Sequence, residues 1–361
     1  MKHKYFQKLI FCALALVISM QMAVSASAAD IGFSDVSPDS PWYEGVEYAA
    51  EHGLTNGTGN NCYSPDAPIT ARQWAVMTCR ALEANIEQHG ADDFGMACLK
   101  YAYQHDWLAY TAVIEPDVSM CRGALYQSAF RAFGIPVYDS ILYPDGPALT
   151  AWENTLRVGR ELGLCDKDGT VSEIATRGET ANLLFRLMAT PIEPQEPPML
   201  AVVNVQNDDG LALNDYLLEL RRMPENIMQA FCEKDWEYVI NCEYLAQLSE
   251  RLDMSCIGAA NYGQKRIYVS EADATIHEFG HFLDKELGFP EEHEQLHKQE
   301  GEAAAKLIRD YANTSSHEFF AECFAYWLNH QTSTDKMASF QSMLPDTYSY
   351  FSDLESQGWC K

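Results

Sequence analysis

Two short runs lie within one stretch of the chain, HEFGHFLDKELGFPEEHEQLH, residues 277–297. Both have the form H-E-x-x-H, from His277 to His281 and from His293 to His297. On a helix, histidines four residues apart stand about 40° apart around the axis, so both imidazoles leave one face. Such a pair can hold a zinc ion, and the glutamate beside the first histidine can take a proton from water that the metal polarises. Spacing alone does not separate the two copies, but their surroundings do.

The first copy follows Ser270-Glu-Ala-Asp273. A serine with an acid three residues later is a capping signal, and it predicts a helix from Glu271 to about Leu287, closed by Gly288 and Pro290. Gly280 inside that helix costs about 1 kcal/mol relative to alanine, which predicts another element packed close against it. The second copy follows Pro290-Glu291-Glu292 and sits among Glu294, Lys298, Glu300 and Glu302. That pattern predicts a solvated helix face.

A catalytic tetrahedral zinc needs a third protein ligand, with its fourth position left to water. From Tyr311 to Trp327 the chain is apolar on nearly every side except at Glu318 and Glu322, which stand at i and i+4. A helix apolar all round is buried, and buried carboxylates are costly unless paired or bound to metal. Glu318 also has capping spacing from Ser315, an explanation that leaves Glu322 without a role. Two histidines and a glutamate form a known catalytic zinc set, so Glu318 is the expected third ligand and HEFGH the expected site. His317 has no partner histidine, since residue 321 is Ala321; it is expected at the surface or beside the site and not as a ligand.

HEFGH, followed by Tyr311 and by Glu318-Phe-Phe-Ala-Glu322-Cys-Phe-Ala325, resembles the anthrax-lethal-factor-like zinc peptidases, and within them the small secreted Pro-Pro endopeptidases. The resemblance runs from about Leu200 to Lys361 and includes Pro224 to Trp236, Ile267 to Ser270 and Leu344 to Tyr348. It implies an α+β zincin-like metallopeptidase domain with one zinc held by His277, His281 and Glu318. It implies Glu278 as general base, Tyr311 as donor to the oxyanion, and Glu322 as the carboxylate that orients a ligand histidine. It also implies proline-rich peptide or protein substrates cut between prolines, a preference that no residue of the chain spells out. The alternatives are a broader lethal-factor-like protease, or a cell-wall-binding adhesin or assembly protein that does not cut. Intact Glu278 and Tyr311 argue against the last.

The elements that must position these residues are strands followed by helices. Leu200 to Val205 reads as a strand, Leu211 to Arg222 as a helix, and Met223-Pro224-Glu225 opens a helix through Phe231. Tyr238 to Ile240 reads as a short strand, and Cys256 to Val269 as a hairpin turning near Asn261 to Gly263. Arg266 to Val269 is the expected edge to which an extended peptide adds.

Before residue 190 the chain repeats a helix, a turn and a helix three times, in segments of about 30–88, 92–135 and 138–189. Such units bury a core only by packing together. FSDVSPDSPWYEGVEYAAEHGLTNGTG in the first copy and Thr176-Arg-Gly-Glu179 in the third resemble S-layer homology modules. The resemblance implies an all-α S-layer homology domain over 30–189 that grips a secondary cell-wall polysaccharide, with Arg177 in that role. Arg122 and Arg72 correspond less closely, because Cys121 replaces a threonine and Arg72 is displaced by one place. Thr190-Pro-Ile-Glu-Pro-Gln-Glu-Pro-Pro198 opposes helix and predicts a linker over 190–199, leaving 200–361 as the peptidase-like domain.

The chain opens with three lysines, an apolar run and Ala26-Ser-Ala28, the pattern of a cleaved signal peptide over residues 1–29. The formal charge is −27, and loss of the lysine-bearing leader makes it more negative. An acidic surface repels nucleic acid and anionic membranes, so neither is an expected partner of the mature form. The expectation is a protein secreted to a bacterial cell surface or cell wall.

Overall fold

The computed structural model describes residues 32–87, 93–165 and 169–359; the expected leader, and the middle of the expected turn at 165–170, lie outside them. Two compact units emerge, Met1–Phe133 with Gly163–Ile192, and Gly134–Leu162 with Glu193–Lys361. Residues 134–162, expected to open the third repeat, thus cluster with the second unit. Tyr138 and Leu142 bury in one core with Val203, Tyr216 and Leu217, and the Asp139 amide donates to Asn214 Oδ1 at 2.7 Å.

Among the described residues before 190, the α-helices are α1 (Tyr43–Glu51), α2 (Ala71–Ala81), α3 (Phe94–Gln104), α4 (Tyr110–Ile114), α5 (Arg122–Ala132), α6 (Ala151–Glu161) and α7 (Arg177–Ala189), of which α6 lies in the second unit. Thr70 and Thr176 cap α2 and α7 by accepting from the amides of Gln73 and Glu179. The residues just before the caps of α2, α5 and α7 form a ring. Ile69 N donates to Ala175 O at 3.0 Å, Ala175 N to Met120 O at 3.0 Å, and Met120 N to Ile69 O at 2.9 Å. The recurring segments therefore satisfy one another's backbone groups, as buried amides and carbonyls require.

The second unit holds a four-stranded sheet of β1 (Val205–Asn207), β2 (Glu237–Ile240), β3 (Gly258–Asn261) and β4 (Arg266–Val269), in the order β1-β2-β4-β3. β1, β2 and β4 run parallel, and β3 runs antiparallel to β4 at the edge. Helices α8 (Asn214–Arg221) and α9 (Glu225–Glu233) connect β1 to β2, and α10 (Cys242–Leu252) follows β2. After β4 the chain is helical: α11 (Thr275–Glu286), α12 (Glu291–Leu307), α13 (Ser316–His330), α14 (Thr334–Met343) and α15 (Pro345–Ser356). Phe231, Trp236, Phe279 and Phe282 form the aromatic centre of the core, with ring centroids 4.9 Å apart for Phe231–Phe279 and 5.0 Å for Trp236–Phe282.

The close neighbour expected at Gly280 is α13. A Cβ at Gly280 would meet Ala321 Cα at 2.7 Å, so the two helices cross at a distance that only a glycine permits. Three local expectations are corrected. Residues 198–201 form a 3₁₀ turn, because Pro197 and Pro198 fix the backbone there, and the strand starts only at Val205, where it meets Tyr238 of β2. Ser270 does not cap a helix; its hydroxyl donates to Ile257 O across the hairpin, Ala272–Ala274 is a 3₁₀ turn, and α11 begins at Thr275. Finally, Arg266–Val269 is not an edge, since β2 and β3 flank it; the edges of the sheet are β1 and β3, and β3 is the one beside the hairpin and Glu278.

Candidate active site

α11 carries His277 and His281 on the face that meets α13. Their Nε2 atoms lie 3.1 Å apart. Glu318 stands in the first turn of α13, where Ser315 Oγ accepts its amide at 3.1 Å. The cap thus holds the Glu318 backbone while the side chain stays free to reach across the close crossing. Glu318 Oε2 lies 3.1 Å from His277 Nε2 and 3.2 Å from His281 Nε2. Among the described residues these three form the one cluster fit to hold a metal ion. Two imidazole nitrogens and a carboxylate oxygen converge on one point. The donor set suits zinc, which takes histidine nitrogen and carboxylate oxygen.

Burial opposes charge on His277, but the neighbouring carboxylates of Glu318 and Glu322 outweigh it and push its pKa up to about 10. Burial would raise Glu318, yet His277 and His281 hold it well below the usual carboxylate range. The pocket therefore demands positive charge at its centre. Glu322 sits one turn beyond Glu318, with Oε1 at 2.8 Å from His277 Nδ1 but out of line for a well-directed hydrogen bond. The same oxygen pairs with Arg309 Nη2.

Glu278 is buried, and Oε2 has no partner. Burial raises its pKa, against the opposing pull of the two histidines. Edge strand β3 runs directly over it, so closely that any side chain at Gly258 would collide with the Glu278 carboxylate. Tyr311 lies in a 3₁₀ turn, Asp310–Asn313, with its ring centroid 6.1 Å from that of His277. Burial and the charge of Glu318 raise its pKa, which keeps the phenol protonated as a donor.

The second H-E-x-x-H is not a solvated face, which corrects that expectation. His293 is 3 % exposed, with Nδ1 at 2.7 Å from Asp284 Oδ1 and Nε2 at 2.7 Å from Tyr350 Oη. Its ring stacks on Phe320 at 4.2 Å. The fully buried Asp284, three residues after His281, also meets His317 Nδ1 through Oδ2 at 2.6 Å. The second copy thus contributes a clamp on α11, and His317 lies half-exposed beside the site. Asp284 and Arg309 escaped the sequence reading, although an acid inside the apolar HFLDKEL run was a signal. We expect His293→Ala to cost about 2–4 kcal/mol, through a cavity and a lost partner for Asp284, with zinc content unchanged. Thermal melting and metal analysis check this; loss of zinc at an unchanged midpoint would make His293 a ligand instead.

The three arginines lie in the first unit. Arg177 is 4 % exposed; its Nε donates to Tyr63 O at 2.8 Å and its guanidinium lies 4.7 Å from the Tyr63 ring centroid. Arg122 pairs with Glu173 and Glu179, and Arg72 with Asp93 and Asp117. No helix among the described residues is long and apolar enough to cross a membrane.

Comparison with known proteins divides the chain in the same sense. Residues 32–70 match the S-layer homology domain, and residues 248–354 match the family described as anthrax toxin lethal factor, N- and C-terminal domain. No curated protein matches the chain. The solved structure of the Pro-Pro endopeptidase PPEP-2 from Paenibacillus alvei is 21% identical, in a match covering 43% of this chain and 98% of that one. Its TM-score of 0.30 is too low to bear on fold or substrate. The chain thus carries a segment similar to the S-layer homology domain near its start and one similar to the lethal-factor domain in its C-terminal half.

Proposed function

We propose that the chain is a secreted zinc endopeptidase, tethered to the bacterial cell wall, that cuts proline-rich segments of surface or extracellular proteins. The observation that carries the peptidase reading is the convergence of His277, His281 and Glu318 beside a buried Glu278. Zinc held by those three side chains would supply Lewis acidity, polarising the scissile carbonyl and acidifying water. Glu278 takes the proton of the attacking water and returns it to the leaving nitrogen. Tyr311 donates to the oxygen on which negative charge develops. Glu322 steadies His277 from its far side. Edge strand β3, above Glu278, supports addition of an extended peptide as a further strand beside the catalytic carboxylate.

The preference for proline rests on the resemblance of the motif. Wall attachment rests on the S-layer homology match. In the first unit, a hollow of about 410 Å³ is lined by Asp35, Trp42 and Asp66, and Gly178, next to Arg177, backs directly onto Trp42. Those contacts connect Arg177, through Gly178 and Trp42, to the wall of that hollow, and the assignment of Arg177 to the polysaccharide rests on them; Arg72 and Arg122 enter that role only by giving up their carboxylates.

Zinc content together with cleavage of a peptide library, read by mass spectrometry, tests the whole reading. One zinc per chain and cuts flanked by proline are expected. Cuts without proline would remove the specificity and keep the peptidase, and no cuts at all would remove both. Metal uptake has a further signature. Without metal, His277 keeps its proton up to about pH 10, and zinc binds only the neutral imidazole. Zinc added at neutral pH should therefore release about one proton from the protein, and affinity should rise with pH until His277 deprotonates unaided. Uptake without proton release in weakly buffered solution would show that His277 is already neutral.

A further inference from the structure

We propose that Arg309 is a positioning residue that ties the oxyanion donor Tyr311 to the ligand-orienting carboxylate Glu322. Its Nη2 pairs with Glu322 Oε1, the oxygen that also faces His277 Nδ1 at 2.8 Å. Its guanidinium carbon lies 5.4 Å from the centroid of the Tyr311 ring. Tyr311 in turn faces His277, ring to ring, at 6.1 Å. The contacts close a circuit: Arg309 to Glu322 to His277, and Arg309 to Tyr311 and back to His277.

Glu322 is 5 % exposed in its side chain, while that of Arg309 is 56 % exposed. The arginine therefore spans from solvent to a buried carboxylate and covers one face of Tyr311 on the way. A guanidinium can do both at once, because it donates to a carboxylate while its delocalised charge lies over an aromatic ring. A lysine ammonium can reach the carboxylate but has no plane to lay on the ring. The backbone contributes as well. Arg309 is extended, at φ −170° and ψ 160°, and immediately precedes the 3₁₀ turn that holds Tyr311.

This inference rests on the peptidase reading for its Tyr311 limb alone; its Glu322 limb concerns metal affinity and stands apart from any substrate. The experiment compares the full chain with Arg309→Lys and Arg309→Met. Zinc affinity is measured by chelator competition, and kcat and KM on a peptide that the wild type cuts. Arg309→Met is expected to weaken zinc about 10–100-fold, as loss of a group behind a ligand histidine does, and to lower kcat. Arg309→Lys should restore zinc affinity and still lower kcat about tenfold with KM little changed. In a Tyr311→Phe background the lysine exchange should cost nothing further, since the stacked partner no longer donates. Unaltered zinc affinity in Arg309→Met at an unchanged melting temperature would overturn the Glu322 limb, whether or not the wild type cuts any peptide. A kcat loss in Arg309→Lys that persists in full beside Tyr311→Phe would overturn the Tyr311 limb.

Discussion

Glu278→Gln is expected to bind zinc with the wild-type stoichiometry and to lose about 10²–10⁴-fold in kcat. Glutamine is the informative exchange because the site is tight. Gly258 of β3 lies against the Glu278 carboxylate, so an isosteric amide fits where a reshaped side chain would also shift the edge strand. The amide keeps the size of the group and removes the ability to accept a proton. None of the three converging donor atoms belongs to Glu278, which is why metal binding survives. Metal analysis and single-turnover cleavage measure the two effects separately. Cleavage at the wild-type rate would remove Glu278 from the chemistry, and loss of zinc would make it a ligand.

Tyr311→Phe is expected to lower kcat about 10²-fold with KM nearly unchanged, because its hydroxyl acts where charge develops and not on the bound peptide. Burial and Glu318 raise the phenol's pKa, so it keeps its proton throughout the range in which a peptidase works. The exchange removes one oxygen and keeps the ring under Arg309, so the turn at Asp310–Asn313 should persist. A rise in KM at constant kcat would reassign Tyr311 to substrate binding. No change in either would exclude it from both.

Much of the local structure was legible because helical and strand periods are local. Tyr238 to Ile240 and the hairpin through Val269 fall within β2, β3 and β4, and the largely apolar stretch after Ser315 is the mostly buried helix α13. Gly280 signalled a close neighbour without naming it. The errors share one cause. Ser270 has capping spacing, but its hydroxyl found a carbonyl across the hairpin. His293 sits in a charged run, yet the one face of α12 that it occupies packs on Phe320 and Asp284. Net charge along a helix does not reveal which side is covered.

The sequence by itself determined that His277 and His281 share a helix face, that Glu278 stands beside them, and that two carboxylates lie one turn apart in a buried helix. Each follows from spacing along the chain and the cost of burying charge. Only the tertiary structure decided that Glu318 faces both imidazoles while Glu322 stands between His277 and Arg309, that β3 rather than β4 is an edge, and that the second histidine motif braces the first. Those outcomes depend on where α11 crosses α13. That crossing is set by contacts between Gly280 and Ala321, 41 residues apart.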